Sequence, residues 1–230
     1  MVTNAPRENM LHQKLRRDMS MNWKAFASML ILCTLSVTLW LGINAAARGM
    51  ERSLDALFAS SNLADLWVSG SVSDSTARSL SALPGVLDAQ RRARVRVKAD
   101  LTGDPKLDLY MFDGTARLSK PIILSGSDLP EDARDACLID FKFAGATGIS
   151  PGDRITVIYG GVRRELRVTG TCYSPEYVVH SDGYSFNVDP HTFGYGFVSP
   201  GALDVPYNET VITLAEGADA SALKRAAEEL

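Results

Sequence analysis

The run from Ala25 to Ala47, AFASMLILCTLSVTLWLGINAAA, holds no charged side chain, and its polar positions are only Ser, Thr and one Asn. Wound as a helix at ~1.5 Å per residue it spans roughly 34 Å, against a hydrocarbon core of about 30 Å. Lys24 closes the run on one side and Arg48 on the other. The sequence before it is short and basic, and the sequence after it is polar, turn-rich and of globular character. One membrane helix carrying a large domain is the reading that this pattern imposes.

Orientation follows from the flanking charges. Arg7, Lys14, Arg16, Arg17 and Lys24 precede the run against Glu8 and Asp18. The positive-inside rule therefore puts the N-terminus in the cytoplasm, and Arg48 and Arg52 weaken that bias without reversing it. Leu11, Leu15, Met19 and Trp23 recur every four residues, as in an amphipathic helix lying on the inner membrane surface; a disordered basic tail is the other reading. Ala45-Ala46-Ala47 offers small residues for signal-peptide cleavage. Against cleavage, a secretory apolar core runs about 7–15 residues behind a short basic region, and here both are longer.

Removing the anchor from 230 residues leaves about 180, which suits one domain or two small subdomains. The net charge of −3 gives no ground for a nucleic-acid partner. Cys33 lies inside the apolar run and reads as a small apolar side chain. Cys137 and Cys172 lie beyond it, where an extracytoplasmic setting permits a disulfide, so they are the candidate pair.

Beyond a helical stalk over 48–60, residues 64–68 read as a short strand. Residues 74–83 read as a helix capped by Ser73 or Asp74 and stopped by Pro84-Gly85. Residues 86–99 form a long strand in which Ala93, Val95 and Val97 alternate with Arg94, Arg96 and Lys98, one face buried and the other basic. That basic face reads as a solvated sheet surface, with anionic lipid or an acidic partner as the alternative. Residues 107–112 return antiparallel. A loop is expected at 121–126, a short helix at 130–136, a strand at 137–139 and a helix at 141–148. Two strands joined by Gly160-Gly161 follow, so that about 137–172 reads as a small inserted β-rich subdomain. Residues 173–190 are irregular, 193–198 and 208–214 are strands, and 218–230 is an amphipathic helix. The fold class is α+β: an N-terminal transmembrane helix, then a sandwich of mixed or antiparallel sheet and helices.

Catalytic signatures are missing. No phosphate-cradling Gly-x-x-x-x-Gly-Lys-Ser/Thr loop occurs, and Gly194-Tyr195-Gly196 lacks the context of a dinucleotide site. His180 and His191, flanking Asp182 and Asp189, lack metal-site spacing and read as exposed loop residues. Glu176 has no evident acid–base partner. The reading is of a non-enzymatic chain with no cofactor and no metal. Tyr177, Tyr184 and Phe186, in the long loop, are the candidate contacts for a partner or substrate.

Several segments, in order, resemble the extracytoplasmic region of FtsX-like/MacB-type ABC transporter permeases. These are the first membrane helix with its stalk and Ala64-Asp65-Leu66-Trp67-Val68; Leu83-Pro84-Gly85-Val86; and Leu138 to Ala144 followed by Gly152-Asp153-Arg154-Ile155-Thr156-Val157. Leu166 to Gly170, Ser174-Pro175-Glu176-Tyr177-Val178, Asn208 to Leu214 and Gly217-Ala218-Asp219 complete the series. The resemblance implies a permease subunit of a bacterial exporter or lipid/lipoprotein-handling complex in the cytoplasmic membrane. It implies a cytoplasmic ABC ATPase as partner, a second permease copy or homologous permease, contact with membrane lipid and an extracytoplasmic partner or substrate. It also implies further membrane helices beyond Leu230. A single-span sensor or an envelope adaptor with a ligand-binding domain is the alternative function.

Overall fold

A computed structural model of the chain describes residues 5–70 and 72–228. Two compact units are present, one covering Met1–Ala56 and one covering Leu57–Leu230.

The first unit is helical. Helix α1 (Ala5–Met21) bears the basic segment, with Leu11, Leu15 and Met19 exposed. Helix α2 (Trp23–Ser61) contains the whole apolar run, and its 39-residue length and apolar composition suffice to cross a membrane. Its hydroxyls are satisfied locally: Thr34 and Ser36 donate to the carbonyls of Leu30 and Leu32, as apolar surroundings require. The residues read as a stalk, 48–60, are the last part of α2.

The second unit is one nine-stranded mixed sheet with short helices. Strand β1 (Leu66–Ser69) leads to α3 (Asp74–Ser81), whose Ser73 cap accepts the Thr76 N–H. Strands β2 (Val86–Ala99) and β3 (Lys106–Phe112) form the expected antiparallel pair. Then come β4 (Ile122–Gly126), β5 (Ala136–Asp140), α4 (Phe141–Thr147), β6 (Arg154–Tyr159), β7 (Val162–Tyr173), β8 (Phe193–Val198), β9 (Glu209–Leu214) and α5 (Ala220–Glu228). Residues 229 and 230, the end of the expected last helix, lie outside the described residues.

Strand order is β1-β9-β2-β3-β8-β5-β7-β4, and β6 joins β7 to the far end of β2. The sheet thus curls until Lys98 and Ala99 meet Ile158 and Val157, closing a ring β2-β3-β8-β5-β7-β6. Its interior holds Ala93, Val95, Val97, Leu107, Leu109, Ile139, Ile155, Val157, Leu166 and Val168. The β-rich stretch expected at about 137–172 consists of β5, α4, β6 and β7, all joined to this sheet. Two expectations are corrected. Most of 121–126 is strand: Ile122, Ile123, Ser125 and Gly126 pair along the edge of β7, with a bulge at Leu124, which local sequence does not reveal. Residues 130–136 are turns followed by the start of β5, since Pro130 to Ala136 has no apolar stripe to bury as a helix.

The other face of the ring carries a second core of Tyr110, Phe112, Leu138, Phe193, Tyr195 and Phe197, roofed by the loops after β3 and β7. Gly194 and Gly196 are explained by close approach. A Cβ on Gly194 would stand 2.6 Å from the Cβ of Phe143, and one on Gly196 2.7 Å from the Leu138 carbonyl oxygen. Gly194→Ala is expected to destabilise the domain by about 1–3 kcal/mol through overpacking. Urea unfolding of the full chain in detergent, followed by tryptophan fluorescence, checks this; an unchanged midpoint would refute it.

Candidate functional site

Arg92 is the centre of the site. The alternation of β2 puts it on the outer face of the ring, beside Phe112 on β3 and Glu209 on β9. Its side chain is only 1% exposed. Nε–H donates to Glu209 Oε2 at 2.5 Å, and the two terminal nitrogens donate to Glu176 Oε1 and Oε2, each at 2.8 Å. The guanidinium lies 4.5 Å from the Tyr110 ring centroid. Trp67 Nε1 donates to Glu176 Oε1 at 3.1 Å. Burial pulls the Glu176 carboxyl up, but the Arg92 charge and its hydrogen bonds outweigh this and hold it below the usual carboxylate value. Burial likewise opposes the Arg92 charge, and its bonds to Glu176 together with the charges of Glu176 and Glu209 reverse the effect.

A second cluster stands alongside. Arg96 donates to both oxygens of buried Asp108 at 2.6 and 2.9 Å, and Arg94 adds a bond at 3.0 Å. Tyr177 donates to the same carboxylate at 3.3 Å and lies 2.9 Å from the Tyr110 hydroxyl. Burial pushes Tyr110 up to about 12 and raises Tyr177 too. The face read as solvated and basic is exposed at Arg94, Arg96 and Lys98, with Asp108 paired to the first two, while Arg92, further along the same face, is buried beneath the strap after β7. Glu176, which sequence left without a partner, is the strap's ionic anchor. No sequence signal joins Arg92 to Glu176 and Glu209, because 84 and 117 residues separate them.

The strap carries the aromatic candidates, and it divides them. Ser174 accepts the Glu176 N–H and starts a single turn over Pro175–Tyr177. Tyr177, 7% exposed, stacks on Tyr195 with centroids 4.2 Å apart, so it serves the core and not a contact surface. Tyr184 and Phe186 are 88% and 84% exposed. Their tip is tied by a Ser181–Phe186 bridge and by Asp182, whose carboxylate accepts the Tyr184 and Ser185 N–H groups. Arg96 also donates to the Asp182 carbonyl at 2.8 Å. Of the two histidines, His191 is exposed beside Asp189, as expected. His180 is buried, its Nε2–H donating to the Phe193 carbonyl and its Nδ1 3.7 Å from Asp140, which corrects its reading as an exposed loop residue.

The disulfide expectation is also corrected. Cys137 and Cys172 are both free thiols. A bulge beside Cys137–Leu138 shifts the register against β7, so Cys137 faces the ring interior and Cys172 faces the aromatic core on the opposite side. Burial pushes the Cys137 thiol up to about 12 and raises Cys172 well above the ordinary value, which disfavours the reactive thiolate at both.

The last turn of α2 enters the domain through a set of main-chain bonds. Ser119 and Lys120 N–H groups donate to the Asn62 and Ser61 carbonyls, each at 2.8 Å. Asn62 Nδ2 donates to Arg117 O, and Ala64 N–H to Ser119 Oγ. Gln90 holds the other side of this segment, accepting the Arg117 N–H and donating to Thr115 O, both at 2.8 Å.

No protein-family model matches the chain, and a search of curated proteins returned no match. Among solved structures, the chain is similar to the extracellular domain of the noncanonic ABC-type transporter YknZ from Gram-positive bacteria: 16% identity, TM-score 0.44, covering 67% of this chain and 77% of that one. It is also similar to the periplasmic region of MacB from Actinobacillus actinomycetemcomitans, at 15% identity and TM-score 0.41, covering 70% and 72%.

The Arg92 cluster makes a pH prediction. The folded-state pKa of Glu176 lies below its ordinary value, so its contribution is complete at neutral pH and is lost as pH falls through the folded value. Glu176→Gln is expected to cost about 3–5 kcal/mol at pH 7 by leaving Arg92 half-paired, and to flatten the loss of stability on acidification. Urea unfolding of the full chain at pH 7 and at pH 4 checks both. Equal pH slopes in variant and parent would refute the assignment.

Proposed function

We propose that this chain is the N-terminal part of a permease subunit of an ABC-type exporter or lipid/lipoprotein-handling complex. In this reading α2 crosses the cytoplasmic membrane with the N-terminus inside, and the second unit lies outside the cytoplasm. The observation that carries it is the path of the chain. One helix, Trp23–Ser61, contains the apolar span, and its last residue Ser61 with the following Asn62 is hydrogen-bonded to Arg117, Ser119 and Lys120. A helix so terminated has the construction needed to pass a tilt or shift to a folded domain, within the hinge and shear repertoire of switching proteins.

The chain has no phosphate-cradling loop, so ATP hydrolysis falls to a separate cytoplasmic ATPase, and a second permease copy completes the path that one helix cannot form. The exposed Tyr184 and Phe186 are the surface offered to an extracytoplasmic partner or substrate. A flexible Gly/Ser segment inserted after Gly49 is expected to abolish transport by the complete assembly while leaving the domain folded, as read by near-ultraviolet circular dichroism. Transport at the parental rate would refute mechanical transmission.

A further inference from the structure

Strand β1 is bonded to β9 on one side, and no other strand pairs with it among the described residues. Gly70 N–H donates to the Asn208 carbonyl at 3.0 Å, and the register continues through Val68↔Thr210 to Leu66↔Ile212. In an antiparallel ladder of that phase the main-chain groups of Leu66 and Val68 point to β9, and those of Trp67 and Ser69 point away from it. Trp67 and Ser69 thus each present an N–H and a C=O at an open edge. No Pro, Lys or bulge blunts this edge, and only its shortness, four residues, guards it.

The side chains of β1 divide between the two faces of the sheet. Trp67 and Ser69 share the face of Glu209 and Arg92, while Leu66 and Val68 share the opposite face with Ile212. Each face has a hollow beside the strand. On the Leu66 side a groove of about 540 Å³ is walled by Leu66, Val68, Leu83, Ile212 and Leu223, and Lys224 is the only charged residue that borders it among the described residues. On the Trp67 side a hollow of about 580 Å³ is bordered by Trp67, Ser69, Arg94 and, from the strap, Val179 and Ser181. The Arg94 side chain is 44% exposed and makes one side-chain bond among the described residues, from Nη2 to Asp108, so its other N–H groups are spare.

We propose that β1 takes an extended segment of another protein as one further strand of the sheet. Its apolar side chains enter the Leu66 groove, and the side chains between them, a carboxylate included, lie over the Trp67 hollow. A strand can use both hollows because its successive side chains point to opposite faces of the sheet. A compact ligand cannot fill hollows on two faces, and a helix spends its main-chain groups internally and has none for the edge. An added strand draws affinity from main-chain bonds and specificity from pockets for alternate side chains. The edge is short, so the two pockets carry much of the binding. Charge sets the sign of the partner. Lys224 borders one hollow and the spare donors of Arg94 the other, while Glu176 and Glu209 are already held by Arg92. The segment is therefore apolar on one face and acidic on the other. This site is separate from the tip of Tyr184 and Phe186, and it does not depend on the chain being part of a permease.

The test is fluorescence anisotropy of a capped, fluorescein-labelled peptide, Thr-Val-Glu-Val-Glu-Val-Thr, titrated with the full chain in detergent micelles. Binding at least tenfold tighter than that of the same residues in the order Val-Val-Val-Thr-Thr-Glu-Glu is expected. N-methylation supplies the signature of strand addition, because only alternate residues of the added strand turn their N–H groups toward β1. Methylating the Glu nitrogens should abolish binding if the strand adds antiparallel, and methylating the Val nitrogens if it adds parallel, while the other set leaves binding within about twofold. Ser69→Pro, which removes an outward N–H and spares the bonds to β9, should weaken binding at least tenfold without moving the unfolding midpoint. The peptide series decides the matter with the protein unaltered, should that variant fail to fold. Equal affinity for the two peptide orders, or equal effects of the two methylation patterns, overturns the proposal. A dimer of the parent chain that Ser69→Pro abolishes, with no binding of the peptide, gives the edge to a second copy and overturns it as well.

Discussion

The fold of the second unit depends on a charge buried where charges are costly. Arg92 sits on a central strand, under an aromatic layer, and is tolerable there because Glu209 and Glu176 take its N–H groups. Glu209 comes from the neighbouring strand. Glu176 comes from the strap that crosses the sheet, and the same carboxylate accepts the Trp67 N–H from edge strand β1. One guanidinium thus ties together β2, β9, the strap and, through Glu176, β1. Deleting any partner leaves a charge in a poorly solvated place, so the group defines which loop conformation is compatible with the folded sheet.

From that anchor the outer features follow. The Arg92–Glu176 pair fixes one end of the strap, and Tyr177 pins it by stacking on Tyr195 and bonding to Asp108. Arg96 then holds the main chain at Asp182. The result is a surface loop whose base is as firmly held as a core element and whose tip presents two aromatic rings to solvent. The interior of the ring is a different environment: aliphatic, closed by the β2–β6 contact, and free of the paired charges on the other face.

Within the chain, the two faces of β2 illustrate what alternation does and does not disclose. The period of two separates Ala93, Val95 and Val97 from Arg94, Arg96 and Lys98, and the first set is interior while the second is exposed. The period does not disclose that Arg92, on the same face as the second set, is covered, because Glu176 and Glu209, the acids that neutralise it, arrive from later segments. Tyr177 and Tyr184 pose the same difficulty. Close together in one polar stretch, they look alike, yet one is core and the other fully presented. Strand β4 and the bulge that separates Cys137 from Cys172 were equally hidden, because an edge strand and a register shift are properties of a pairing and not of a segment.

The apolar helix, the α+β alternation, the capped turn at Ser73, the long strand 86–99 and the ordered family-like segments are local, and sequence determines them through composition, periodicity and turn chemistry. Closure of the sheet, burial of Arg92 with its two carboxylates, the opposite facing of the two cysteines and the outward display of Tyr184 and Phe186 were decided only by tertiary structure. The physical reason is that each depends on groups many tens of residues apart meeting in one place. Hydrophobic pattern can say that a side chain must be covered or paired, but only the packed fold selects the group that does it.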